Sequence, residues 1–136
     1  MTSTVELENQ IRMSETPEAL ADKSYKVPAI VPYMNSLLYD HGLTVQDVIM
    51  GCNLSRSYAY QLFNGNRAPT RGFLLNLAFL LKLPEAEAQR LLKIAGRQPL
   101  YARNRRDAAI LYGLSHGMTA EETESLLRSL GEEGLA

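Results

Sequence analysis

Residues 43–69, LTVQDVIMGCNLSRSYAYQLFNGNRAP, decide how the rest of the chain is read. Thr44 stands where a helix N-cap is wanted, because its hydroxyl can accept a backbone N–H that the first turn leaves open. Asp47, three residues on, makes a weaker form of the capping box. Val48, Ile49 and Cys52 recur at helical spacing and give this helix an apolar face. Asn53 falls where the chain must turn, and Asn tolerates the left-handed conformation better than other non-glycine residues. Ser55 caps a second helix running to about Phe63, with Ala59, Leu62 and Phe63 on its inner face. Asn64-Gly65 stops it, since glycine adopts the left-handed cap without a side-chain penalty.

Two short helices joined by a turn of three to four residues have the geometry of a helix-turn-helix. Leu43-Thr44, Leu54-Ser55-Arg56-Ser57, Leu62-Phe63-Asn64-Gly65 and Arg67-Ala68-Pro69 carry a resemblance to the Xre/Cro, lambda-repressor-like DNA-binding domains. The resemblance covers roughly residues 27–83. This chain departs from the family at Val45, Ile49 and Asn53, where Gln, Ala and Gly are usual. The bulk of Ile49 implies a wider crossing of the two helices. The resemblance implies a regulator that binds double-stranded DNA as a homodimer on near-palindromic sites.

Outward from this stretch the chain reads as helix throughout. Residues 1–26 are polar and acidic and are expected to form a partly ordered arm. From about Pro28, Ile30, Met34, Leu37 and Leu38 make the stripe of a helix ending near His41-Gly42. Thr70 caps a helix from Arg71 to about Leu81 that is apolar on most sides, with Phe73, Leu74, Leu77, Ala78, Leu80 and Leu81. That pattern marks it as the central core helix. Pro84 opens another, Glu85 to Ala95, which turns Ala88, Leu91, Leu92 and Ala95 inward and stops at Gly96.

The segment 83–96 then repeats as 118–131 at an offset of 35, with Leu91-Leu92-Lys93 matching Leu126-Leu127-Arg128 and Gly96 matching Gly131. Thr119 with Glu122 is a capping box. Between them, Ala108, Leu111, Tyr112 and Ser115 fall at helical spacing. Two helical hairpins side by side can bury each other's apolar faces. The expected fold is all-α: a lambda-repressor-like bundle over 27–96, then a helical hairpin over 97–136. No segment has the alternation and turn chemistry of a strand pair.

Composition narrows the function classes. At 136 residues and 46% apolar the chain suits one compact domain or a small domain with an extension. No apolar run approaches the ~18–20 residues needed to span a membrane, and no signal-peptide pattern opens the sequence. The lone Cys52 cannot form an internal disulfide, which fits a reducing cytoplasm. It reads as a buried small hydrophobe. The net charge of −1 conceals an asymmetry: residues 54–106 carry ten basic residues against two acids, and both flanks are acidic. A basic middle suits a nucleic-acid surface.

No catalytic constellation, cofactor motif or metal-ligand spacing is present, so neither an enzyme, a cofactor nor a metal site is expected. His41 and His116 are isolated, and Glu121, Glu122 and Glu124 suit the start of the last helix. The second helix of a helix-turn-helix presents its N-terminal residues to base edges. Here these are Ser55, Arg56 and Ser57, with Tyr60 and Gln61 one turn on. Arg56 has the planar fork that matches guanine, and Gln61 can pair with adenine. Backbone phosphates are expected at Thr44, Gln46, Asn64, Arg67 and Arg71, contacts that position without reading sequence.

The cluster Arg97, Arg103, Arg105 and Arg106 either extends that footprint or meets the acidic end of another subunit, the second being preferred. Leu111, Leu114, Leu126, Leu127 and Leu130 on the C-terminal hairpin are the expected dimer or protein-partner surface. The competing class is a non-enzymatic interaction module, an adaptor or antitoxin-like protein, that keeps the same fold.

Overall fold

The computed structural model describes residues 29–135, so the expected N-terminal arm lies outside the described residues. Among the described residues seven helices follow one another: α1 (Ile30–Asp40), α2 (Val45–Gly51), α3 (Arg56–Asn64), α4 (Arg71–Leu80), α5 (Glu85–Ile94), α6 (Arg105–Ser115) and α7 (Ala120–Ser129). Among the described residues there is no strand, and the protein is all-α there.

Local chemistry sets most of these boundaries. Thr44, Ser55, Thr70, Asn104 and Thr119 each precede a helix, and each side-chain oxygen accepts the N–H three residues on. For Thr44–Asp47 and Thr119–Glu122 the bond is reciprocated, completing the capping boxes. At the other ends the chain passes through the left-handed region, twice without glycine, at Asn53 and Lys82 (both φ 53°). The next N–H then reaches back five residues, as in Leu54 to Ile49 O (3.0 Å) and Leu83 to Ala78 O (2.9 Å). Four connections share this order of left-handed residue, apolar residue and cap: Gly42-Leu43-Thr44, Asn53-Leu54-Ser55, Lys82-Leu83-Pro84 and Gly117-Met118-Thr119. The link between α2 and α3 is one of these four.

α4 is the central helix. It buries Phe73, Leu74, Leu75, Leu77, Ala78 and Phe79 and packs on α2, α5 and α7. α3 lies across α1 and α2, and α6 packs on α5 and α7. The sequence repeat is a structural one: α5 and α7 have the same length, with bounds displaced by 35. A single cluster of buried side chains runs from Tyr33 to Leu135 and crosses the boundary at residues 96 and 97. Leu127 and Ile110, from the C-terminal hairpin, are fully buried in it, each stabilising by roughly 1.5–3 kcal/mol. Among the described residues no helix is long and apolar enough to cross a membrane.

α6 corrects the sequence reading. It turns Asp107, Ala109, Ile110 and Gly113 inward, while Tyr112 and Ser115, expected on its inner face, are exposed. A charge and a glycine occupy this face for specific reasons. Asp107 pairs with Arg71. Gly113 lets α7 come close, since a Cβ there would lie 2.4 Å from Thr123 Oγ1. Neither residue contributes to a hydrophobic periodicity.

Candidate nucleic-acid interface

α3 holds its register through Ala59, Leu62 and Phe63, which are buried, so Arg56, Ser57 and Tyr60 face outward. Gln46, exposed in the first turn of α2, accepts a hydrogen bond from Arg56 Nη2 (3.3 Å). The Arg56 guanidinium also lies 5.9 Å from the centre of the Tyr60 ring. On the other flank Arg67 Nε donates to Gln61 Oε1 (3.0 Å), and its guanidinium sits 5.5 Å from the Tyr58 ring. Each of these two arginines is thus held by one amide and one aromatic ring. Tyr58 is half-buried against the core and forms a platform for the distant Arg67.

The remaining expected site residues are deployed differently. Ser55 Oγ accepts the Tyr58 N–H (3.2 Å) and is thereby committed to the start of α3. Asn64 accepts the Asn66 N–H (3.0 Å), which shapes the loop after α3 and leaves its amide donors outward on an exposed residue. Thr44 accepts from Asp47 N and donates to Asp47 Oδ2 (3.1 Å), so its hydroxyl is used within the cap. The Asp47 carboxylate takes the place at that helix start which an anionic partner would need. Thr44, expected as a phosphate contact, thus has its hydroxyl engaged within the cap in this structure.

Arg71, also expected to meet a phosphate, is engaged within the fold. Its Nε donates to Gln98 O (2.9 Å) and its Nη2 to Pro99 O (3.2 Å) and to the buried Asp107 (2.9 Å). Arg71 is a strut between α4 and the C-terminal hairpin. Arg97 is a second strut, donating from Nε to Pro69 O (2.9 Å). Arg105 pairs with Glu132 (3.7 Å) and donates to Leu130 O, and Arg106 donates to Glu133 O (3.1 Å) and Gly134 O. The acidic end that meets this cluster is the chain's own. Of the apolar residues assigned to a partner surface, Leu127 is fully buried, and Leu111, Leu114, Leu126 and Leu130 are half-buried against the core.

Cys52 closes α2, and burial pushes its thiol up to about 11, which keeps it protonated and unreactive near neutrality. Among the described residues no group of three His, Cys, Asp or Glu side chains is placed to hold a metal ion. No family model matches the chain, and neither a curated protein nor a solved structure matches it.

Proposed function

We propose that this protein is a sequence-specific DNA-binding transcriptional regulator of the helix-turn-helix, Xre/Cro-like kind, with α3 lying in the major groove. The observation that carries this reading is the outer face of α3. Arg56, Ser57 and Tyr60 stand exposed together, and Arg56 is braced by Gln46 from the preceding helix. A braced guanidinium loses less side-chain freedom on meeting the paired acceptors of guanine, and such a bidentate contact discriminates by about 1–3 kcal/mol. Ser57 and Tyr60 flank it. Arg67, Asn64 and Gln46 meet phosphates on either side, fixing orientation without reading bases. On a near-palindromic site two copies bind, and the hairpin's half-buried leucines and exposed Tyr112 supply the contact between them.

A second reading is favoured by one observation: Tyr39 is 86% and Met50 75% exposed on α1 and α2. An adaptor would use such side chains to dock a protein and would leave DNA alone. Selection from random duplexes, with wild type and Arg56→Ala at two salt concentrations, separates the two. The regulator enriches a motif that the variant relaxes at one base pair. An adaptor enriches none and shows no salt-sensitive binding.

A further inference from the structure

Arg103 is exposed and makes no hydrogen bond or ion pair among the described residues. It stands at the rim of an open pocket of about 610 Å³ that is also lined by Arg71, Arg105, Arg106, Asp107 and Glu132. Both carboxylates are already met: Asp107 by Arg71 at 2.9 Å and Glu132 by Arg105 at 3.7 Å. Among the described residues Arg106 donates only to the neutral carbonyls of Glu133 and Gly134. Among the described residues two positive charges, on Arg103 and Arg106, are therefore without a carboxylate partner.

The position of this pocket is set by the two struts. Arg97 holds residue 69, and Arg71 holds residues 98, 99 and 107. The basic pocket is thereby fastened to the loop that leaves α3 and carries Arg67. Arg67 and Arg71 are four residues apart, at most about 14 Å along the chain, or about four nucleotide rises on one strand. The Arg71 side of the pocket is thus no farther along the chain from Arg67 than a duplex takes to present its next few phosphates.

We infer that the pocket at the start of α6, with Arg103 at its rim, binds backbone phosphates of the same duplex, beyond the base pairs that α3 reads. This rests on the DNA-binding reading above. The C-terminal hairpin then does more than complete the core: it lengthens the footprint by a sequence-independent clamp. Arg105 and Arg106 hold the C-terminal tail at the back of the pocket, and Arg103 is free to meet the phosphate.

The test uses the full chain and two duplexes built on the selected site, one trimmed to its ends and one extended by about five base pairs on each side. Binding is measured from about 50 to about 200 mM salt. Each phosphate neutralised adds about 0.9 to the slope of log affinity against log salt, which is about a 3.5-fold change in affinity over that range. Wild type is expected to show a steeper slope on the extended duplex. Arg103→Gln removes about 0.9 from it there and changes nothing on the trimmed duplex, whereas Arg67→Gln lowers the slope on both. Arg103 is exposed, so an unchanged melting curve confirms that the variant is folded. Equal slopes for wild type on the two duplexes, or an Arg103→Gln slope equal to wild type on the extended one, overturn the inference while leaving the regulator reading intact. Absence of binding to either duplex overturns both.

Discussion

Replacing Asp107 by Ala tests whether the C-terminal hairpin is latched to the helices before it by a buried charge pair. Asp107 is 5% exposed, and its Oδ2 accepts from Arg71 Nη2 at 2.9 Å and from Tyr101 N at 3.0 Å. Breaking a buried pair by removing one partner costs about 3–5 kcal/mol, because the other charge is left uncompensated. Two features moderate that figure here. Arg71 keeps its bonds to Gln98 O and Pro99 O, and its side chain is 23% exposed, so water partly solvates the orphaned guanidinium. Tyr101 N–H also loses its acceptor, at about 1–3 kcal/mol for a group that stays buried. The expected loss is about 3 kcal/mol, a large part of the ~5–15 kcal/mol typical of a domain.

Urea unfolding followed by circular dichroism measures it. With a slope of about 2 kcal/mol per molar, the midpoint falls by about 1.5 M. The pair itself is isolated by a double-mutant cycle. Arg71→Met is destabilised in the same way, whereas Arg71→Met with Asp107→Leu recovers much of the loss, because apolar groups replace both charges. A loss below about 1 kcal/mol for Asp107→Ala, or additivity in the cycle, would refute the latch.

Among the described residues Thr123 Oγ1 is buried without a hydrogen-bond partner, so Thr123→Val is expected to raise the unfolding free energy by about 1 kcal/mol; a lower urea midpoint would contradict this. Gly113→Ala places a methyl 2.4 Å from that same oxygen and 3.3 Å from Phe79 Cε1, and overpacking of this kind costs about 1–3 kcal/mol, read as a lower melting temperature. Burial raises the Cys52 thiol from 9.0 to about 11, so the folded state favours the neutral form. Its contribution is complete below pH 9 and lost as pH rises towards 11. The wild-type midpoint should therefore fall relative to Cys52→Ala across that interval, and alkylation of the folded protein at pH 8 should be much slower than in urea. Gln46→Ala removes the brace on Arg56, worth about 0.5–1.5 kcal/mol, and is expected to weaken binding about two- to tenfold. That loss concentrates at the base pair that Arg56→Ala relaxes; a uniform loss over all sequences would instead assign Gln46 to a phosphate alone.

What could be read from the chain alone was whatever acts within a few residues. The caps at Thr44, Ser55, Thr70 and Thr119, the left-handed turn at Asn53 and the stop at Gly65 all depend on hydrogen bonds spanning three to five residues, so residue type and order suffice. The stripes of α1, α4 and α5 were visible because leucine burial dominates their energetics, and the repeat at 35 residues announced two hairpins of equal build.

The misplaced inner face of α6 shows where this stops. Asp107 is inside only because Arg71, 36 residues earlier, meets it, and Gly113 is inside only because Thr123 and Phe79 crowd it. The same holds for the arginines. The sequence assigned Arg56 to bases, Arg67 and Arg71 to phosphates, and Arg97 and Arg103 by preference to the acidic end of another subunit. Tertiary packing divided them, because a guanidinium is a strut where backbone carbonyls converge on it and a free charge where they do not. Arg71 and Arg97 found such carbonyls about 27 residues away, while Arg56 and Arg67 met only surface amides and rings and Arg103 met nothing among the described residues. Helix ends and apolar stripes are thus decided by neighbours in the chain, and the division between struts and free charges by neighbours in space.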